Sequence, residues 1–116
     1  MSLEQHVNDL NTLIAERRIL EAFDKYYADD VVMQEAGAEP RVGGDVNRAG
    51  ETAFVDGLRW YDVRLLSSAV DEERGVALNE WDFRYEHESW GRVEAKQVAV
   101  QQWRDGRIVR ESFYKL

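Results

Sequence analysis

The 116-residue chain contains no cysteine. This excludes disulfides, thiolate metal sites and a cysteine nucleophile, and it is in keeping with the reducing cytoplasm, where we expect the protein. Histidine is scarce, because His6 and His87 are the only two and stand too far apart for a His-x-x-x-His metal motif. The glycine-containing stretch GAEPRVGG at 37–44 lacks the G-x-G-x-x-G spacing of a nucleotide-binding loop. We therefore predict neither a metal nor any other cofactor.

Long apolar runs and a basic surplus are also missing. No stretch approaches the ~20 apolar residues that a membrane crossing requires. The first ten residues, MSLEQHVNDL, have neither the basic nor the apolar segment of a secretion signal. The formal net charge is −8, so nucleic acid and anionic membranes would repel the protein. The expected partners therefore exclude nucleic acid and membranes.

The composition that remains is that of one globular domain, residues 1–116. Apolar residues make up 44% of the chain and charged residues 33%, an ordinary balance for a folded protein. A chain of this length buries a sizeable core without disulfides or metals, which become necessary mainly below ~40 residues.

Helical patterns occupy the first half of the chain. Ser2 and Gln5 have the spacing of a capping box, and apolar residues then recur at helical spacing to a break near 16–18. A second helix follows and is predicted to end at Asp29 and Asp30. Asp45 is predicted to cap a third helix, whose apolar side consists of Val46, Ala49, Ala53, Phe54 and Leu58.

The second half of the chain has the period of two that is typical of strands. A short strand at 31–33 precedes the third helix, and four strands are predicted at about 60–70, 76–87, 93–103 and 107–115. Short turns link the last four. Helices followed by a meander of strands indicate an α+β fold with a curved antiparallel sheet packed over the N-terminal helices.

The last hairpin supplies a candidate catalytic residue. A two-residue Asp105-Gly106 loop places Trp103 opposite Ile108 and Val100 opposite Glu111. On that register, Glu111 shares an apolar face with valines and a phenylalanine. Burial without a partner raises a carboxyl pKa into the range of a general acid or base. Pairing with an arginine or a backbone donor is the structural alternative.

Aromatic residues on the 76–87 strand supply candidate pocket walls. One face carries Trp81, Phe83, Tyr85 and His87, whereas the other carries Glu80 and Asp82. The register across the turn at 88–91 decides whether Trp81 or Glu80 joins Glu111. Tyr27 is a candidate hydrogen-bond donor, since a buried tyrosine hydroxyl needs a partner. The predicted ligand-binding residues are Trp81, Glu80, Phe83, Val100, Phe113, Met33 and Phe54.

Three segments carry a family resemblance: YYADDVVMQE at 26–35, EWDFRYEHESWG at 80–91 and VAVQQWRDGRIVRESFY at 98–114. Together with the order of elements, they resemble SnoaL-like proteins of the nuclear transport factor 2-like superfamily. The resemblance implies a cone-shaped α+β barrel of the cystatin-like type, with a cavity between helices and sheet. It also implies a homodimer formed through the outer sheet face.

The superfamily includes polyketide cyclases, ketosteroid isomerases, limonene epoxide hydrolases, dehydratases and non-catalytic binding proteins, so fold alone does not choose an activity. Glu111 lies near the place of the cyclases' acid–base residue. Tyr27 matches the isomerases' tyrosine, without an obvious second acid. Asp82 and Arg84 match the epoxide hydrolases' Asp-Arg-Asp set only in part.

The sequence favours a SnoaL-like homodimer of unassigned activity, with an internal pocket for a small, mostly apolar ligand, and three specific functions remain open. The first is a cofactor-free isomerase, cyclase or dehydratase that acts on a small apolar carbonyl compound through Glu111 and Tyr27. The second is a module that binds a small apolar molecule without converting it. The third is an interaction domain in which Trp103, Ile108 and Tyr114 build a dimer and side chains fill the pocket.

Overall fold

A computed structural model describes residues 1–116 and contains three helices and six strands. In chain order these are α1 (Leu3–Ala15), α2 (Ile19–Tyr26), β1 (Tyr27–Glu35), β2 (Arg41–Val42), α3 (Gly44–Gly57), β3 (Leu58–Asp71), β4 (Val76–His87), β5 (Gly91–Arg104) and β6 (Arg107–Lys115). The helices are all too short and too polar to cross a membrane. The four long strands match the predicted ones within two residues at each end.

One sheet contains all six strands, in the order β2-β1-β6-β5-β4-β3. Neighbouring strands are antiparallel except for β1 and β6, which are parallel. The α+β class is confirmed, but the predicted all-antiparallel sheet is wrong at this pair. The reason is that α3 and the β3–β5 meander intervene, so β6 returns beside β1 in the same direction. The sheet is open rather than a closed barrel, with β2 and β3 at its edges.

Helix α1 begins as the sequence indicates. The Ser2 hydroxyl accepts a hydrogen bond from the Gln5 N–H, and the Gln5 side chain accepts one from the Ser2 N–H, which completes a capping box. The buried face of α1 consists of Val7, Leu10, Asn11 and Leu13. This face closes one end of the sheet.

Helix α2 ends earlier than predicted, at Tyr26, and β1 begins at the next residue. Tyr26 and Tyr27 are both buried. Successive helical residues point about 100° apart, so a change to extended backbone allows both rings to enter the interior. The predicted stop at Asp29 and Asp30 is wrong, because both acids lie within β1 and are exposed.

Helix α3 departs from prediction in its cap and in its buried face. Gly43, with φ of 107°, occupies the N-cap position instead of Asp45. Val46 and Ala49 are exposed, whereas Asn47 is buried. The Asn47 amide donates to the carbonyls of Val31, Arg41 and Gly43, which anchors the start of the helix to β1 and β2. Apolar periodicity could not predict this contact, because the buried residue, Asn47, is polar.

The last hairpin contains a β-bulge that changes the predicted register. Asp105 and Gly106 both have positive φ and form the two-residue turn, and Trp103 opposes Ile108 as predicted. The register then shifts by one residue, so Glu111 opposes Gln101 and Val100 opposes Ser112. The predicted Val100–Glu111 pair is therefore wrong. A bulge places two residues against one, here at Val109, so Ile108 and Glu111 both point inward although they are three apart.

The main apolar core lies where α1 and α2 meet β1, β5 and β6. It contains twelve buried residues, among them Leu10, Phe23, Trp103 and Ile108. The rings of Phe23 and Tyr27 stack with their centroids 4.7 Å apart. This core occupies one end of the concave sheet face, the face that the helices cover, and the remainder of that face borders a cavity.

Candidate functional site

A cavity of about 500 Å³ lies between the three helices and the concave face of the sheet. Of the 26 residues that line it, 17 are hydrophobic. Cavities of ~300–1,000 Å³ with mainly apolar walls are the usual dimension of small-molecule sites. The few polar side chains in this wall therefore determine what chemistry the cavity can support.

Aromatic rings form much of the wall. Phe54 of α3 meets Tyr85 of β4 edge to face at 5.0 Å, and Trp81 and Phe83 follow at a centroid separation of 5.7 Å. Residues alternate across a strand, so Trp81, Phe83 and Tyr85 of β4 share the concave face. The pairing of Trp81 with Gln97 fixes the register that sequence left open.

Glu111 is the most deeply buried acid in the cavity wall, at 2% exposure. Its Oε1 accepts a hydrogen bond from the Tyr27 hydroxyl at 2.6 Å, and its Oε2 accepts one from Gln101 Nε2 at 2.7 Å. Desolvation raises the pKa of Glu111, and the two hydrogen bonds oppose this effect because they favour the charged form. Neither an arginine nor a backbone donor pairs with it.

The Gln101 side chain belongs to a buried polar network. Its Oε1 accepts hydrogen bonds from Trp103 Nε1 at 3.0 Å and from Asn79 Nδ2 at 3.3 Å. The Asn79 Oδ1 in turn accepts from Asn11 Nδ2 at 2.8 Å and from the Ser68 hydroxyl at 2.7 Å. The network therefore runs from α1 through β4 and β5 to the carboxyl group on β6.

Glu51 is a second acid in the cavity wall, supplied by α3. Desolvation and the Glu111 carboxylate raise its pKa to about 7, against a smaller lowering by Arg41. Hydrogen bonds contribute nothing to this shift. A carboxyl group that titrates near neutral pH is suited to accept and return a proton.

Tyrosine hydroxyls and one arginine also contribute to the polar part of the wall. The Tyr61 hydroxyl donates to the Ile14 carbonyl at 2.7 Å, and burial raises the pKa of both Tyr61 and Tyr85. Arg41 forms an ion pair with Glu35 beside the cavity. No three histidine or acidic side chains come together in a way that could hold a metal ion.

The structure brings seven of the nine predicted site residues to this cavity: Tyr27, Glu111, Met33, Phe54, Trp81, Phe83 and Phe113. Their catalytic and ligand-binding roles remain predictions. Glu80 and Val100 do not line the cavity. Glu80 lies on the outer sheet face, where it accepts a hydrogen bond from Ser67. Val100 lies on the same face, because it pairs with Leu78 two residues from Glu80 along β4.

Sequence reasoning missed Glu51 and Gln101. Asn47, Glu51 and Phe54 are spaced so that they lie on one side of α3. Because Phe54 was already predicted to line the pocket, this spacing could have predicted that Glu51 faces the pocket too. Gln101 was missed because the β-bulge, which brings it opposite Glu111, is not evident from the sequence.

The fold and cavity define a class of protein: a small α+β domain in which a curved sheet and three helices enclose a space with an acid–base lining. A model of the SnoaL-like domain matches residues 7–111. The chain belongs to the SnoaL-like domain family.

Solved structures agree with this assignment at the level of the fold. A candidate SnoaL-like polyketide cyclase from Mesorhizobium loti superposes with a TM-score of 0.81 at 21% identity, covering 98% of this chain and 99% of the other. A nuclear transport factor 2-like protein of unknown function from Burkholderia pseudomallei gives 0.79 at 16%, covering 100% and 92%. An LEH-like epoxide hydrolase from M. tuberculosis gives 0.77 at 18%, covering 97% and 80%.

A search of curated proteins finds no sequence match to the chain. Family membership and fold together assign no specific activity, since the similar structures include a cyclase candidate, an epoxide hydrolase and a protein of unknown function.

Proposed function

We propose that the protein is a cofactor-free enzyme that moves a proton on a small, mainly apolar carbonyl compound. The observation that carries this proposal is one largely apolar cavity with two carboxyl groups, Glu51 and Glu111, whose pKa values are both raised. Apolar walls suit a neutral ligand of low polarity. Two acids with different partners in one cavity are suited to different roles in acid–base catalysis.

The two acids have different roles in this proposal because their surroundings differ. Glu51 has no hydrogen-bond contribution to its pKa and is free to reach a ligand, so its carboxylate would remove a proton from the carbon next to the carbonyl group. The electron pair of that C–H bond moves onto the carbonyl oxygen and gives an enolate. Tyr27 and Glu111 form the polar pair beside that oxygen. Return of the proton from Glu51 to the same carbon completes an exchange. If the compound carries a C=C bond next to that carbon, the enolate is a dienolate, and return of the proton to the far end of the former C=C bond yields the conjugated isomer, with no redox partner required.

Hydrogen exchange tests this proposal directly. The protein is incubated in D₂O with 1-tetralone, and deuterium at the carbon next to the carbonyl is measured by mass spectrometry. We expect wild-type exchange ~10²–10⁴-fold above buffer, with a rate that rises through pH about 7 as Glu51 ionises.

Glu51→Gln is expected to reduce exchange to the buffer rate. Glu73→Gln, at an exposed turn position, is the matched control and should leave the rate unchanged. Equal exchange by wild type and Glu51→Gln would exclude Glu51 as the base, and exchange at the buffer rate in both would exclude the proposed activity for this ketone class.

The proposal includes a homodimer through the outer sheet face. Leu78, Val98, Val100 and Tyr114 pair across β4, β5 and β6 on that face, which the helices leave uncovered. Contiguous apolar surface of this kind supports an interaction site. Of the three residues assigned to a dimer contact from sequence, Tyr114 is exposed, whereas Trp103 and Ile108 are buried in the core. A cytoplasmic location remains a prediction from the lack of cysteine.

A further inference from the structure

Gln101 has only one side-chain orientation that its neighbours permit. The indole N–H of Trp103 is a donor and has no acceptor capacity, and it points at the Gln101 side chain from 3.0 Å. The Asn79 amide nitrogen approaches the same atom. The amide oxygen of Gln101 must therefore face Trp103 and Asn79. Its NH₂ group must then face Glu111 Oε2.

This fixed orientation determines where the proton of a neutral Glu111 resides. A proton on Oε2 would leave the Gln101 N–H against a hydroxyl oxygen, a poorer acceptor than a carboxyl carbonyl. A proton on Oε1 leaves Oε2 as the acceptor for Gln101. It also faces the Tyr27 oxygen 2.6 Å away. The neutral acid therefore donates through Oε1 to Tyr27.

The direction of the Tyr27 hydroxyl then depends on Glu111. When Glu111 is ionised, the Tyr27 proton points at the carboxylate, and Tyr27 presents only an oxygen lone pair to the cavity. When Glu111 is protonated, Tyr27 accepts its proton in a hydrogen bond, and the Tyr27 O–H turns into the cavity as a donor. Since the hydroxyl has a single proton, the two directions exclude each other.

We propose that Gln101 is a positioning residue that couples Glu111 to Tyr27, so that the cavity holds a ligand carbonyl oxygen on the Tyr27 hydroxyl only when Glu111 carries a proton. This inference deepens the proposed function and rests on it for the identity of the ligand atom. Its consequence is that binding of a ketone at a pH above the Glu111 midpoint is accompanied by proton uptake at Glu111.

Burial favours the protonated state of Glu111, and the charged groups around the pair act in both directions. Glu51 of α3 and Glu35 of β1 are negative groups whose fields act on the pair, whereas Arg41 of β2 opposes them. The Arg107 guanidinium of β6 reaches the Tyr27 carbonyl at 3.2 Å. Lys115 also lines the cavity. Because Glu51 is coupled to Glu111, the titration is best measured in Glu51→Gln protein, where one acid remains.

The first test is nuclear magnetic resonance of Glu51→Gln protein labelled with ¹³C at the glutamate Cδ and tyrosine Cζ atoms. Tyr27→Phe and Glu111→Gln proteins assign the two resonances. We expect the Tyr27 Cζ shift to move at the same midpoint as the Glu111 Cδ shift, although Tyr27 itself stays protonated. A flat Tyr27 Cζ shift through the Glu111 titration would overturn the inference.

Substitutions of the positioning residue provide the second test. In Gln101→Leu, the ionised Glu111 carboxylate loses a hydrogen-bond donor, so the Glu111 pKa should rise. The proton of neutral Glu111 is then free to occupy either oxygen, so the change in the Tyr27 Cζ shift that accompanies the Glu111 titration should become smaller. Trp103→Phe keeps an aromatic ring in the core but removes the N–H that holds the Gln101 oxygen, so it should also weaken the coupling between Glu111 and Tyr27. Gln102→Leu, one residue along β5 and exposed, is the matched control. Unchanged coupling in both Gln101→Leu and Trp103→Phe would contradict the positioning role.

A matched ligand pair provides the third test, again in Glu51→Gln protein. Calorimetry should show that 2-acetylnaphthalene binds about tenfold more weakly for each pH unit above the Glu111 midpoint, whereas 2-ethylnaphthalene, which has no oxygen, binds independently of pH. Equal pH dependence for both ligands, or no binding of the ketone at any pH, would overturn the inference. Intact coupling without 1-tetralone exchange by wild type would overturn the proposed activity alone.

Discussion

At the scale of single residues, the cavity is distinguished by two acids, Glu51 and Glu111, whose pKa values are raised by burial. Glu51 has a folded-state pKa of about 7 against an ordinary value of 4.5. The folded protein therefore binds more protons than the unfolded chain between these two values. The free energy of unfolding must fall as pH rises through this window and level off above it.

Glu51→Gln should remove the loss of stability that wild type suffers as pH rises and Glu51 ionises. The full shift corresponds to about 3 kcal/mol at ~1.36 kcal/mol per pH unit, and the partial exposure of the side chain reduces the expected effect to about 1–2 kcal/mol. The stability of the variant relative to wild type should rise by that amount between pH 4 and pH 8, measured by urea denaturation. Glu73→Gln should show no such rise, and parallel curves for Glu51→Gln and wild type would contradict the assignment.

Single residues were predictable where local chemistry sets their role. The capping residues Ser2 and Gln5 act within one turn of helix, and the sequence was sufficient to identify them. Glu111 was also recognised as an inward-facing acid, yet its partners Tyr27 and Gln101 differ from the arginine or backbone donor offered as the structural alternative. Those partners come from other strands, and their proximity depends on pairing.

At the scale of elements, α3 combines a free surface with one very tight contact. A Cβ atom at Gly50 would meet nothing within 4 Å, whereas one at Gly57 would lie 2.1 Å from the His87 ring. His87 is buried at the end of β4 and stacks on Trp90 at 3.8 Å. The end of α3 therefore depends on having no side chain at Gly57.

Alanine substitutions at the two glycines should have opposite effects. Gly57→Ala must displace the His87 ring and should lower the free energy of unfolding by about 1–3 kcal/mol. Gly50→Ala, in the same helix, should raise it by up to about 1 kcal/mol through better helix propensity. Thermal and urea unfolding measure both. A neutral Gly57→Ala would mean that the β4 end adjusts freely, in conflict with the packing described.

Elements were predicted well where a pattern repeats and poorly where one residue interrupts it. The four long strands follow from their period of two, and the Asp105-Gly106 turn from its residue types. The bulge at Val109 interrupts the period once and changes the partner of Glu111. A single extra residue has no signature in the sequence, because packing on the concave face decides where it is placed.

At the scale of the whole molecule, the outer sheet face is the surface through which we propose that a second copy binds. Leu78 is 44% exposed and Tyr114 is 48% exposed on this face. A two-fold interface uses the same patch on both subunits, so one charge introduced there enters the contact twice.

Leu78→Glu should therefore separate the proposed dimer. We expect wild type to sediment at twice the chain mass and Leu78→Glu at the chain mass in analytical ultracentrifugation. Val46→Glu, an equally drastic change on the exposed surface of α3, should remain dimeric. A monomeric wild type at micromolar concentration would exclude this interface.

The sequence by itself determined the α+β class, the boundaries of the long strands, the N-terminal cap and the family. These depend on local propensity and on the period of apolar residues, both of which can be read from the order of residues in the chain. Only the tertiary structure decided that β1 lies parallel to β6, that the β-bulge brings Gln101 to Glu111, and that Glu51 of α3 faces the same cavity. Each of these joins residues far apart in sequence, and their contacts follow from how the whole sheet and its helices pack together.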